Sequence, residues 1–99
     1  MFTDLYIENI INSIEDIEKV EINKLSKSLL EKKDDIKEVL EYVNMLIYSK
    51  SQKNIKYLFG VNIVSDAIRK IELNCNVEMT IDNMSFELWE VVNEKHSRG

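Results

Sequence analysis

Apolar residues recur along this chain at three- and four-residue intervals, the spacing that lines one face of an α-helix, and they do so in five successive stretches. Ile7, Ile10, Ile11, Ile14 and Ile17 form the first stripe, and Ile22, Leu25 and Leu29 form a short second one between charged clusters. Asp35 followed by Glu38 has the form of a capping box with Asp in place of Ser or Thr, and it opens a third helix with the stripe Ile36, Val39, Leu40, Val43, Leu46 and Ile47. Polar residues from Ser49 to Asn54 connect it to a fourth helix over about residues 55–73. Val61, Val64, Ile68, Ile71 and Cys75 mark the main face of that helix, and Leu58, Phe59, Ile63 and Ala67 widen it. The fourth helix is therefore expected to be central and the most buried. The pattern breaks from Asn74 to Met79, after which Thr80 is the expected N-cap of a last helix reaching about Glu94, with residues 95–99 fraying.

The predicted fold is all-α, a single five-helix bundle over residues 1–99. Proline is absent and glycine occurs only at positions 60 and 99, so the residues that punctuate hairpins and tight turns are missing. The isoleucines favour strands individually, but their spacing is helical, and pattern outweighs propensity where the two disagree. An apolar fraction of 44% argues for a packed core rather than disorder. No apolar run approaches the roughly 18 residues of a membrane span. One cysteine excludes an internal disulfide and no signal peptide opens the sequence, so a reducing cytoplasmic setting is expected. Neither an internal repeat nor a linker is visible.

The formal charge is −5, and the first helix region carries acids without bases. Nonspecific nucleic-acid binding draws on clustered Lys and Arg. The one candidate cluster, Lys24, Lys27, Lys32, Lys33 and Lys37, is interleaved with Glu31, Asp34, Asp35 and Glu38, which reads as a solvated face. Direct contact with nucleic acid is not expected. Catalytic chemistry is equally sparse. His96 is the only histidine and lies near the end of the chain, and Cys75 on an apolar stripe reads as a small core residue. Phosphate-binding loop, dinucleotide fingerprint and paired-cysteine zinc motifs are all missing, so no cofactor, metal, small-molecule ligand or catalytic residue is assigned.

The stretch from Ala67 to Met84 is more specific. It reads as a helix ending in Asn74-Cys75-Asn76, followed by Val77-Glu78-Met79-Thr80-Ile81-Asp82 and a final helix. This resembles the C-terminal region of clamp-loader subunits of bacterial DNA polymerase III, delta prime above all, where a helix ends in N-x-N and a v-x-L-x-[LI]-[DE] pattern follows. Lys24 to Tyr42 is similar to the second helix, charged turn and long third helix of the same region, so the resemblance spans about residues 20–94. Many relatives carry an Arg-Asp pair near the end of the third helix, where this chain reads Ile47-Tyr48-Ser49. The resemblance marks Asn74, Asn76, Met79, Thr80 and Ile81 as family positions. It implies the collar domain of a longer subunit, one that packs against the other clamp-loader subunits, gamma/tau and delta, during sliding-clamp loading. In such subunits the nucleotide fold belongs to preceding domains, so assembly and not hydrolysis is the expected role. Gamma/tau or delta, or a free-standing helical adaptor for a protein partner, stand as alternatives.

The last helix carries a second apolar face. At 100° per residue, Phe86 points about 170° and Trp89 about 110° away from the stripe of Ile81, Met84, Leu88, Val91 and Val92. Phe86 and Trp89 are thus candidates for a subunit interface, since aromatic residues concentrate at interface hot spots. The competing reading is that another helix of the same bundle covers them.

Overall fold

A carboxylate sets the start of the first helix, α1 (Leu5–Asn12): Asp4 Oδ1 accepts the Ile7 amide at 3.1 Å and satisfies one of the amides that a helix N-terminus leaves open. The computed structural model describes residues 2–93. Four further helices follow, α2 (Asn23–Leu30), α3 (Ile36–Ser51), α4 (Lys56–Glu72) and α5 (Val77–Asn93), with short 3₁₀ turns at Lys19–Ile22 and Lys33–Asp35 and no strand among the described residues. The chain is an all-α bundle. The positions expected to fray, residues 95–99 with His96, and the expected helix end at Glu94 lie outside the described residues.

Helix α1 is shorter than its isoleucine stripe. It stops at Asn12, where the Ser13 amide bonds back to the Asn9 carbonyl at 3.0 Å, yet Ile14 remains buried in the turn that follows and Ile17 is half-buried. Residues that share a stripe in sequence therefore reach the same core from a helix and from a loop. The expected capping box at Asp35 and Glu38 does not form, because the 3₁₀ turn runs straight into α3 and the Asp35 amide, which Glu38 would have to accept, donates to the Lys32 carbonyl at 2.9 Å instead. A reciprocal cap sits earlier, where the Glu18 amide donates to Glu21 Oε1 at 2.8 Å.

Helices α3 and α4 are antiparallel. Their register is marked by Asn44 Nδ2 donating to Ser65 Oγ at 3.1 Å and by Lys37 Nζ 2.8 Å from Glu72 Oε2. Gly60 sits where α3, α4 and α5 meet: a Cβ there would lie 3.1 Å from Ile47 Cγ2 and 3.2 Å from Leu88 Cδ2. This close approach turns the glycine side of α4 inward. Its buried residues are Tyr57, Gly60, Val64 and Ala67, while Val61, Ile63, Ile68 and Ile71 are half-buried and Leu58 and Phe59 are exposed. The expectation that α4 is the most buried helix is corrected accordingly; α3 and α5 each bury more side chains, and α4 keeps one apolar face in solvent.

Cys75 is also corrected, from core to exposed. Helix α4 ends before it in a Schellman turn: Asn74 takes the left-handed region at φ 66°, its amide bonds to the Ile71 carbonyl at 3.0 Å, and the Cys75 amide bonds to the Lys70 carbonyl at 3.0 Å. The chain reverses within two residues. Asn76 Oδ1 then accepts the Met79 amide at 2.8 Å, making Asn76 the N-cap of α5 in place of Thr80. Thr80 lies inside the first turns of the helix, buried, with its amide bonded to the Asn76 carbonyl. On the far side of α5, the Ser26 hydroxyl bonds to the Asp82 carboxylate and ties α2 to it.

Candidate functional site

The residues singled out by sequence divide into three groups in space. Asn74 and Asn76 shape the α4–α5 turn through backbone and cap bonds. Thr80 and Ile81 face the interior, Ile81 with no exposed surface. Met79 and Phe86 are exposed, at 63% and 41%, and seven residues apart on one helix they lie within about 20° of each other on the outward face of α5.

Trp89 does not share that face. It is half-buried, and its indole Nε1–H donates to the Ile17 carbonyl at 3.0 Å. Four residues on, Asn93 Nδ2 donates to the Ile14 carbonyl at 2.8 Å and to the Trp89 carbonyl at 3.1 Å. Both side chains thus supply donors to carbonyls of the segment that leaves α1. Phe86 stands beside Lys19, whose Nζ is 5.3 Å from the ring centroid and 3.1 Å from Glu90 Oε2. The two aromatics proposed together from sequence have different surroundings: one is engaged with a backbone carbonyl of the bundle, the other lies open under a lysine.

A second surface lies at the opposite end of α4, where the α3–α4 connection turns. Tyr48, Ile55, Leu58 and Phe59 are exposed there, at 55%, 72%, 41% and 59%. Below them a groove of about 280 Å³ is lined by Glu15, Ser49, Lys50, Lys53, Asn54 and Tyr57. Tyr57 is almost fully buried, and its hydroxyl donates to the Glu15 carboxylate. Burial, reinforced by the bond to Glu15 and by its charge, pushes the Tyr57 phenol well above its ordinary value. The same bond, assisted by Lys56 at 3.6 Å, holds the Glu15 carboxyl below the ordinary value. Lys50 and Lys56 stand over the Tyr57 ring at 5.2 Å and 5.9 Å from its centroid. Reading stripes alone did not single out this surface. Its signal is one of charge: no Asp or Glu occurs from Tyr42 to Ser65, a stretch that carries Lys50, Lys53 and Lys56.

Among the described residues no group of three His, Cys, Asp or Glu side chains is placed to hold a metal ion, and no helix is long and apolar enough to cross a membrane. Neither a protein-family model, nor a curated protein, nor a solved structure matches the chain. Two exposed surfaces stand out: an aromatic and a methionine on α5, and a mixed basic and apolar tip between α3 and α4.

Proposed function

We propose that this chain is an assembly domain of the clamp-loader collar type, most like that of the delta prime subunit of bacterial DNA polymerase III. In this reading it is the C-terminal part of a longer cytoplasmic subunit and holds the loader together through contacts with gamma/tau and delta. The domain contributes assembly and leaves nucleotide chemistry to other domains. The observation that carries the reading is the Asn74-Cys75-Asn76 turn. The two asparagines of the N-x-N stretch have distinct, specific duties, Asn74 in the left-handed region and Asn76 as the cap of α5, so the stretch that resembles the family is also the joint that sets α5 against α4. Five helices in one bundle agree with the expected fold.

Co-expression with the delta and gamma/tau subunits of the same organism tests the proposal, with the complex isolated by size-exclusion chromatography. This chain, alone or within its full reading frame, is expected to co-elute with them. Failure to co-elute, while delta and gamma/tau assemble with a different delta prime protein, would overturn it. A free-standing helical adaptor is the second reading, favoured by the exposed Ile55, Leu58 and Phe59, which a protein partner would cover. A reading frame that encodes no preceding nucleotide-binding domains would select it.

A further inference from the structure

The tip of the α3–α4 hairpin combines two properties, an acid-free run of chain and exposed apolar side chains. All eighteen acidic residues lie outside the stretch from Tyr42 to Ser65, so in a protein of net charge −5 this end carries Lys50, Lys53 and Lys56 against one carboxylate in the groove they share, that of Glu15. At that end Ile55, the residue that precedes α4, and Leu58 and Phe59 in its first turn are exposed. Of the three lysines, Lys56 is paired with Glu15 at 3.6 Å. Among the described residues, Lys50 and Lys53 have no carboxylate within salt-bridge distance, and both line the groove beside Tyr57. Further along the same face, Asp66 and Arg69 pair with each other and end the apolar surface.

We propose that this tip is a docking site for a short acidic peptide segment that carries an apolar anchor residue. Carboxylates of the segment pair with Lys50 and Lys53, and its apolar side chain lies on Ile55, Leu58 and Phe59. The charge of the tip selects an anionic partner, and the exposed apolar side chains select against one that is anionic only. Two unpaired lysines release few counterions, too few to hold a nucleic acid backbone, and exposed Ile, Leu and Phe offer a phosphate nothing. The apolar face is also too short for an amphipathic helix lying in a lipid interface, because it turns charged at Asp66 and Arg69. A peptide supplies both chemistries over a small area, with aromatic Phe59 as the anchor platform. The site lies at the other end of α4 from the Asn74 turn and does not rest on the collar reading.

The test uses the full chain and a fluorescent peptide of Asp and Glu interrupted by one Phe and one Ile, followed by anisotropy. Saturable binding is expected, weakening with added salt. Lys50→Glu with Lys53→Glu, or Ile55→Ser with Phe59→Ser, should each weaken it by at least about tenfold. These are surface positions, and unchanged circular dichroism and melting of the variants verify that the fold persists. An all-acidic peptide without the apolar residues should bind as weakly as the serine variant binds the probe. No binding, or binding indifferent to both pairs of substitutions, overturns the proposal. So does tighter binding of single-stranded oligonucleotides or phosphatidylserine vesicles abolished by the same changes, and so does self-association that Phe59→Ser abolishes, since these give the surface to other occupants.

Discussion

The indole N–H of Trp89 donates to the carbonyl of Ile17 at 3.0 Å across 72 residues of chain. Segment 13–18 leaves α1 without regular helical bonding, so its carbonyls need partners, and α5 supplies two of them from one face, Trp89 and Asn93. A buried carbonyl left without a donor costs more than an ordinary hydrogen bond contributes. The contact therefore helps to hold segment 13–18 against α5, beside the buried Ile14.

Replacing Trp89 with Phe keeps most of the ring and removes the donor. A loss of about 1 kcal/mol in urea unfolding is expected, with a further loss from Asn93→Ala that is less than additive because both bonds hold the same segment. Hydrogen exchange should quicken at residues 14–18 first. Unchanged exchange there with lowered global stability would show that the ring's packing, and not its donor, is what counts.

The turn between α4 and α5 makes a sharper prediction. Asn74 sits at φ 66°, where a Cβ-bearing residue without a short polar side chain is penalised, so Asn74→Ala should cost about 1 kcal/mol while Asn74→Gly is neutral or slightly stabilising. Asn76→Ala should cost about 1 kcal/mol through loss of the cap to Met79, and Asn76→Asp should retain it. Thr80→Val, which removes the hydroxyl and keeps the shape, should by contrast show no cap loss, since Thr80 lies within the helix. Thermal melts of the Asn76 and Thr80 variants decide between Asn76 and Thr80 as the cap of α5.

Where the sequence was legible, one side chain and one period carried the message. Ile36, Val39, Leu40, Val43 and Ile47 of α3 are all buried as their spacing predicts, and so are Ile81, Met84, Leu88 and Val92 of α5. Asn74 was legible as a turn residue for the same local reason. The face of α4 was not, because its centre is Gly60, which has no side chain to register in an apolar stripe; the helix is rotated so that the glycine meets Ile47 and Leu88. Cys75 and Thr80 were misplaced together: a helix that stops in a left-handed residue reverses faster than a polar stretch suggests, so α5 begins three residues before Thr80. Trp89 depends on a carbonyl distant in sequence and no local pattern contains it. The basic tip was present in the sequence as an acid-free run, but summing charge over long blocks averages it away.

Gly60 offers a test of close packing. In an ordinary exposed helix Gly→Ala stabilises by about 1 kcal/mol through backbone entropy. At Gly60 the new Cβ would press on Ile47 Cγ2 at 3.1 Å and Leu88 Cδ2 at 3.2 Å, and both of those side chains are themselves buried. The crowding is expected to win, leaving Gly60→Ala destabilised by about 1 kcal/mol and Gly60→Leu unable to form the native three-helix junction. Gly60→Ala combined with Ile47→Leu, which removes the Cγ2 branch that the new Cβ would meet, should recover part of the loss. A Gly60→Ala variant that melts higher than the parent would mean that α3 and α5 yield at this point.

The Tyr57–Glu15 pair predicts how stability follows pH. The Tyr57 hydroxyl bond, with help from Lys56, holds the folded Glu15 carboxyl below its ordinary 4.5, so the unfolded chain takes up the proton first on acidification. The stabilisation from Glu15 is present in full well above 4.5 and is lost as pH falls through the folded value. Asp4 acts in the same direction below its ordinary 3.8: burial raises it, but the Ile7 amide and Lys32 at 3.3 Å outweigh that and lower it. At the alkaline end the sign reverses. Folded Tyr57 keeps its proton past the ordinary 10.0, where the unfolded chain ionises, so this residue's contribution is complete below 10.0 and declines above it. Tyr57→Phe should lower stability by about 1 kcal/mol at neutral pH, flatten the alkaline limb and weaken part of the acid limb. Glu15→Gln should flatten the acid limb while leaving the Asp4 portion in place. Urea unfolding repeated across the pH range checks both, and a Glu15→Gln curve that runs parallel to the parent through the acid limb would remove Glu15 from the account.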